Sequence, residues 1–179
     1  DKLKYPVFVK PANSGASIGI NKATTSSELK KSIETAFFYD SKIILEKEIK
    51  GREIEIALLG NEDILTSYPG EVDVKDEFYN YNSKYQNPAT KKMVPLNMLG
   101  SNLDDELREI AIKVYKTIGA KGLARVDFFV EENTNVVYVN EINTMPDITE
   151  DSMYIKLFSA IGIEYTDVLD RLVRYAMEK

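Results

Sequence analysis

Two runs rich in β-branched and aromatic residues, 124–130 and 136–142, flank Glu131-Glu132-Asn133-Thr134-Asn135, a stretch of turn chemistry. That pattern commits this part of the chain to an antiparallel hairpin. With the turn centred on Thr134, Asp127 falls opposite Glu141 and Arg125 opposite Asn143, and the two-residue period of a strand puts all four side chains on one face. Two carboxylates and an amide then converge beside a guanidinium. Oxygen donors of this kind, with coordination positions left for phosphate, suit Mg²⁺ rather than zinc or copper. The same residues also fit a plainer reading, a salt-bridged and solvated strand face.

Composition narrows the chemistry. The 179 residues include no His and no Cys, which excludes a Ser-His-Asp triad, a thiolate nucleophile and a Cys/His zinc site. Lys, Arg, Asp, Glu, Tyr and Ser must do the polar work. At 44% hydrophobic the chain can bury a sizeable core, and its length alone does not separate one domain from two subdomains. A net charge of −6 argues against a nucleic-acid surface, while a local basic pocket could still hold phosphates. No apolar run reaches transmembrane length and there is no secretory h-region, so a cytoplasmic enzyme without membrane or nucleic-acid partners is expected. A strand begins at Tyr5-Pro6-Val7-Phe8-Val9-Lys10, almost at the first residue, Asp1, and further chain is expected upstream.

The element order mixes α and β. Thr25-Ser26-Ser27-Glu28 is a capping box, and Leu29, Ile33, Ala36 and Phe37 follow at helical spacing. Strands over 5–10, 18–22, 43–47, 53–59 and 64–68 are expected to form one antiparallel sheet backed by that helix. A second helix starts after Asn102, with Leu107, Ile110, Ala111, Val114, Tyr115 and Ile118 inward, and stops at Gly119. Two more follow the hairpin, one over 150–160 with Gly162 past its end, one from Thr166 with Val168, Leu169, Leu172, Val173 and Ala176 inward.

Two loops stand out. Between Val74 and Val94 no period is sustained, and a loop of that length is a lid, a binding loop or a disordered linker. Its aromatic residues favour an active-site lid over residues 76–92, in which Lys84 offers a point charge to phosphate and Tyr85 a hydroxyl beside it. The segment from Lys10 through Gly15-Ala16-Ser17-Ile18-Gly19 joins strand to strand, so it is neither a Walker loop nor a dinucleotide fingerprint. It reads either as a hairpin turn or as a flap whose amides close over an anion, and Lys10 at its entrance supports the flap.

In order along the chain stand Val9-Lys10-Pro11, Gly15-Ala16-Ser17-Ile18-Gly19, Ile44-Leu45-Glu46-Lys47 with Gly51-Arg52-Glu53, and Phe78-Tyr79-Asn80-Tyr81 with Lys84-Tyr85. Leu123-Ala124-Arg125-Val126-Asp127, Asn140-Glu141-Ile142-Asn143-Thr144 and the stretch 146–152 complete the series. Over essentially its whole length the chain resembles the D-alanine:D-alanine ligases and their vancomycin-resistance relatives, of the ATP-grasp superfamily. The resemblance implies an α+β ATP-grasp fold in which two subdomains sandwich a nucleotide. Residues 1–60 would be the remainder of the first subdomain, with flap and adenine strand. Residues 61–179 would be the second, with lid, metal hairpin and acceptor site, and the N-terminal substrate domain is absent from the sequence.

By the same resemblance Lys10 contacts the nucleotide, Ser17 lies in the flap over its phosphates, Glu46 with Lys47 and Ile49 holds adenine, and Glu53 takes the ribose. Lys84, with Tyr85 beside it, reaches the γ-phosphate. Asp127, Glu141 and Asn143 hold two Mg²⁺, or Mn²⁺ in their place, against the phosphates of ATP. Arg125 faces the first substrate's carboxylate, and Ser152 the second's. The implied reaction activates one D-amino acid as an acyl phosphate and joins it to a second, for peptidoglycan precursor synthesis. The chain alone is expected to be inactive without its N-terminal domain, and a homodimer is left open for the full-length protein. Two departures stand out: Ala16 where the family usually has a flap serine, and Pro146-Asp147-Ile148-Thr149 where it usually has a Pro-Gly-aromatic-Thr run. They leave D-alanine, D-serine or another small amine open as acceptor. Another ATP-grasp carboxylate-amine ligase and a non-ligating ATP-binding regulatory domain are the alternatives.

Overall fold

A computed structural model describes residues 3–73, 91–93 and 100–178. The chain divides into two compact units, with the change between Lys50 and Gly51. In the first, strands β1 (Val7–Pro11), β2 (Asn21–Ala23) and β3 (Ile43–Lys47) form an antiparallel sheet in the order β2-β1-β3. Helix α1 (Ser26–Tyr39) packs on it over the buried Val7, Val9 and Ala23. The capping box forms with a variation. Thr25 Oγ1 accepts from Glu28 N at 3.2 Å, and the Glu28 carboxylate reaches back one residue further, accepting from Thr24 N and Thr24 Oγ1 at 2.7 Å each.

The inward side of α1 is narrower than its helical spacing suggests. Ser32 and Ala36 are buried, whereas Phe37 is 52% exposed. Three short strands offer a narrow floor, and small side chains along the centre of the contact bring the helix close to it.

The second unit holds β4 (Gly51–Gly60), β5 (Leu65–Thr66), β6 (Gly70–Asp73), β7 (Lys91–Met93), β8 (Gly122–Glu131) and β9 (Val137–Asn143). They form a six-stranded antiparallel sheet, β7-β6-β4-β8-β9, with β5 also on β4. The single sheet expected from the first five strand candidates is therefore two. The reason lies in β4, which is buried from Ile54 to Gly60 without alternation. A strand apolar on both faces needs a central place between two layers, and it pairs residue by residue with β8 from Gly51↔Glu131 to Gly60↔Gly122.

Helix α2 (Ser101–Thr117) covers one face, where Leu107, Ala111 and Tyr115 pack with Ile54, Ile56, Leu58, Ala124, Val126, Phe128 and Val130. Gly100, not Asn102, occupies its N-cap, and Ile118 at its end is half exposed. Helices α3 (Met153–Ser159) and α4 (Tyr165–Met177) pack against β4 as well. They cover part of the other face, over Ala57 and Leu59. Gly70 permits the approach of α3: a Cβ there would stand 2.5 Å from Leu157 Cδ2 and 2.7 Å from Met153 Cε. Val168 of α4 is fully buried, whereas Val173, expected inward, is 63% exposed: five residues on from Val168 it lies on the outer side of the helix, while Leu172 faces Gly122 and Tyr175 O accepts from Asn61 Nδ2.

Two buried tyrosines tie the helices to β4 backbone, Tyr115 Oη donating to Gly60 O and Tyr154 Oη to Leu58 O, both at 2.8 Å. Burial pushes the Tyr115 phenol up to about 12 and raises Tyr154 as well.

The hairpin β8–β9 has the expected register at one end only. Arg125 pairs with Asn143 and Asp127 with Glu141, but Phe128 pairs with Val139, which leaves Asn140 as an extra residue in β9. This bulge shifts the alternation by one. Val137 and Ile142, an odd number of residues apart, therefore both pack against the core under α2.

Candidate active site

The half of the β4–β8–β9 face that turns away from α2 carries the polar residues. Strand register aligns three carboxylates in a row, Glu55 on β4, Asp127 on β8 and Glu141 on β9. The next row is Ala57, Arg125 and Asn143. Like charges on directly paired residues, about 5 Å apart, repel by roughly 3 kcal/mol at an effective dielectric of about 20. The row therefore needs a cation, and Arg125 supplies it.

Arg125 closes its fork on Asp127, with Nε to Oδ1 and Nη2 to Oδ2 both at 2.7 Å. Its Nε also stands 3.2 Å from Glu55 Oε2. Burial works against the guanidinium charge, but the bond to Asp127 and the charges of Asp127, Glu55 and Glu141 outweigh it and raise the pKa. Asn143 Nδ2 donates to Asp127 Oδ2 at 2.9 Å, which orients the amide so that Oδ1 is the oxygen it can offer. Glu141 is exposed and Glu55 is only 8% exposed. Glu53 lies on the same face, one row beyond Glu55.

These side chains form a line, not a ring. Among the described residues no three acidic side chains converge on a single point. Asp127, Glu141 and the Asn143 amide nevertheless make an all-oxygen donor set, which fits a hard cation such as Mg²⁺. The fork of Arg125 and the Asn143 amide already use three of the acceptor directions of Asp127.

Beyond β9, Pro146 is buried, while Asp147 is exposed and turned onto its own loop. Its carboxylate accepts from Thr149 N at 2.9 Å and from Thr149 Oγ1 at 3.1 Å. Ser152, buried at 3% exposure, caps α3 by accepting from Ile155 N at 3.3 Å. Its hydroxyl keeps a hydrogen to donate.

In the first unit, Lys10 and Glu46 share the sheet face opposite the one that buries Val7 and Val9 and form an ion pair at 2.8 Å. Lys22 and Glu48 pair nearby at 2.6 Å. Lys47 ends β3, and Glu48 N donates to Pro6 O at 3.2 Å, so the backbone toward the half-buried Ile49 remains beside β1. The turn at Gly15-Ala16-Ser17-Ile18 is closed by Ile18 N to Gly15 O at 3.1 Å. Ala16 and Ser17 have φ of 53° and 60°, left-handed values that L-residues resist, and the turn lies inside the longer connection, residues 12–20, between β1 and β2. Lys84 and Tyr85 lie outside the described residues.

The hairpin thus brings Arg125, Asp127, Glu141 and Asn143 together as the sequence implies, and Lys10 meets Glu46. Sequence reasoning missed Glu55. The signal was present: Glu53-Ile54-Glu55-Ile56 repeats an acid every second residue, which puts two carboxylates on one face of the strand.

Comparison with known proteins supplies the setting. The chain is 46% identical over 99% of its length to D-alanine–D-alanine ligase B of Clostridium tetani and 45% identical over 100% to the D-alanine–D-alanine ligase of Clostridium acetobutylicum. It spans about half of these relatives, 49% and 52% of their lengths. Among solved structures it is similar to the VanG D-Ala:D-Ser ligase of Enterococcus faecalis, with a TM-score of 0.85, 32% identity, and coverage of 96% of this chain and 50% of that one. It is also similar to the Bacillus anthracis D-alanine–D-alanine ligase complexed with ATP, with a TM-score of 0.79, 27% identity, and coverage of 97% and 53%. These likenesses make the α+β arrangement an ATP-grasp fold. Residues 1–174 match the family model described as D-ala D-ala ligase C-terminus, and the chain belongs to that family.

Proposed function

We propose that the protein of which this chain forms part joins two D-amino acids at the expense of ATP, with D-alanine as both donor and acceptor, for a peptidoglycan precursor. The observation that carries this reading is the carboxylate row with Arg125 at its centre, in a chain whose relatives bear the ligase name. The donor carboxylate attacks the γ-phosphorus of ATP, ADP leaves, and an acyl phosphate forms. The acceptor amine then attacks its carbonyl carbon, the C–O bond to phosphate breaks, and the amine loses a proton as the amide forms.

Each step builds charge on oxygen, and a fixed cation answers it without a protein nucleophile. Arg125, held by two carboxylates, gives the donor carboxylate and the tetrahedral intermediate a cation whose position is set beforehand. Asp127, Glu141 and Asn143 would hold Mg²⁺, which when bound neutralises phosphate charge and favours the in-line transfer. Lys10 would meet the phosphates, Ser17 would lie in the flap above them, Glu46 with Lys47 and Ile49 would take adenine, and Glu53 the ribose. Lys84 and Tyr85 would act at the γ-phosphate. The hydroxyl hydrogen of Ser152 is what an acceptor carboxylate would take.

D-alanine is the acceptor this reading takes, because Asp147, the carboxylate that could have received a serine hydroxyl, is exposed and turned back onto Thr149 of its own loop. ATP supply makes the cytoplasm the fitting compartment. No helix among the described residues is long and apolar enough to cross a membrane.

The test is phosphate release by the full-length protein with ATP, Mg²⁺ and D-alanine. Turnover should depend on D-alanine and fall by about 100-fold or more in Glu141→Gln, as loss of a charge that holds metal against phosphate implies. Nucleotide binding without release would favour a regulatory domain, and wild-type turnover in Glu141→Gln would remove the metal role from β9.

A further inference from the structure

Glu55 is the member of the carboxylate row to which the ligase chemistry gives no part. A carboxylate left at 8% exposure in the middle of a central strand is retained against a desolvation cost, so the charge has a use. Its Oε2 stands 3.2 Å from Arg125 Nε, but that nitrogen has a single hydrogen, directed to Asp127 Oδ1 at 2.7 Å. Two carboxylates from neighbouring strands thus flank one guanidinium, and Asp127 holds both arms of its fork.

Asp127 cannot serve every demand placed on it at once. Its oxygens already accept from Arg125 twice and from Asn143 once. A divalent cation at the same carboxylate would repel the guanidinium and compete for those oxygens. Arg125 stays in place only if another carboxylate takes it. Glu141 is on the far side of Asp127 and exposed, whereas Glu55 is already at ion-pair distance.

We propose that Glu55 is a positioning residue for Arg125, receiving the guanidinium when the Asp127 oxygens turn to a divalent cation. The inference rests on the ligase reading for the cation, and on the geometry of the β4–β8 pair for the transfer. Glu55 touches neither substrate nor metal. It makes the cation affinity of Asp127 depend on a residue of another strand, acting through Arg125.

The experiment is a double-mutant cycle on the full-length protein, reading Mn²⁺ binding in saturating ADP by electron paramagnetic resonance. Glu55→Gln is expected to weaken Mn²⁺ about tenfold, the range of outer-sphere partners of metal ligands. In an Arg125→Met background the same change should have almost no effect, because no guanidinium then competes for Asp127. Equal Mn²⁺ affinity of wild type and Glu55→Gln, or a loss that persists undiminished beside Arg125→Met, overturns the proposal, as does failure of the wild type to bind Mn²⁺. Near-UV circular dichroism checks the fold, and if Glu55→Gln is not folded, Glu55→Asp replaces it with a smaller loss of the same pattern expected. Phosphate release by the wild type separates the two failures. Its absence sinks the ligase reading, whereas an active wild type with a flat cycle sinks the Glu55 assignment alone.

Discussion

The two sheets carry their charged residues on different terms. In the second unit, ten-residue strands β4 and β8 run the length of the sheet with helices packed on it, and Arg125 and Asp127 are 19% and 13% exposed at their side chains. In the first, among the described residues, strands of five, three and five residues carry one helix, and Lys10 and Glu46 are 18% and 44% exposed at their side chains. Long strands fix the carboxylates on either side of Arg125, so the guanidinium has only those two places to rest. A pair joined at a single contact on short strands, with its carboxylate half exposed, can be rearranged by a ligand at little cost. The difference separates a region built to hold geometry from one built to yield.

The largest expected effect tests that contrast directly. Arg125→Ala leaves Glu55 and Asp127 facing each other without a countercharge, and the full-length protein should lose about 3–5 kcal/mol in urea unfolding as well as its activity. Lys10→Ala removes a single-contact ion pair whose carboxylate is half exposed and should cost about 0–1 kcal/mol, with the damage confined to nucleotide affinity. Similar losses from the two variants would end the distinction between the sheets.

The next test sharpens it through pH. Tyr115 titrates at about 12 in the folded protein against about 10 when unfolded, so its contribution is complete below pH 10 and disappears as pH rises toward 12. Tyr154, raised in the same direction, adds to the slope. Stability of the second unit should fall by about 1–3 kcal/mol over this range, and Tyr115→Phe should flatten the fall while costing about 1 kcal/mol at neutral pH for the bond to Gly60 O. Unfolding midpoints measured from pH 9 to pH 12 decide it. A slope that Tyr115→Phe leaves unchanged would place the sensitivity elsewhere.

The smallest effect belongs to the turn of the first unit. Ala16 at φ 53° carries a strain of about 1 kcal/mol that glycine would not, offset in part by the greater freedom of glycine in the unfolded chain. Ala16→Gly should raise stability by about 0.5 kcal/mol. A loss instead would mean that the methyl group has a packing role that outweighs its strain.

How far the sequence could be read follows from how local each determinant is. The pairing of Asp127 with Glu141 and of Arg125 with Asn143 was legible because one turn and a two-residue period decide both. The cap at Thr25 was legible for the same reason. For Glu55 the alternation of acids on β4 could be read but its place in the row could not, since the partner strand is distant in sequence and nothing between announces that β4 pairs with β8. The outward Phe37 shows a different limit: helical spacing gives a direction, while the width of the sheet beneath decides how much of that side is covered. Residues 53–59, read as part of the first sheet, fell to the second because burial on both faces becomes a central-strand signal only when a suitable sheet is there to receive it.

The extra residue Asn140 gives the hairpin two independent phases. On its turn side, Val137 sets which side chains meet the core; on the other, Ile142 does so, and the bulge absorbs the mismatch. A slip of β9 by one position cannot propagate past it without burying Glu141 or expelling Ile142, so the alignment of the polar row is insulated from events at the tip. The segment around Asn133 and Asn135 can accordingly be lengthened, shortened or replaced in evolution or by design while Asp127 still faces Glu141.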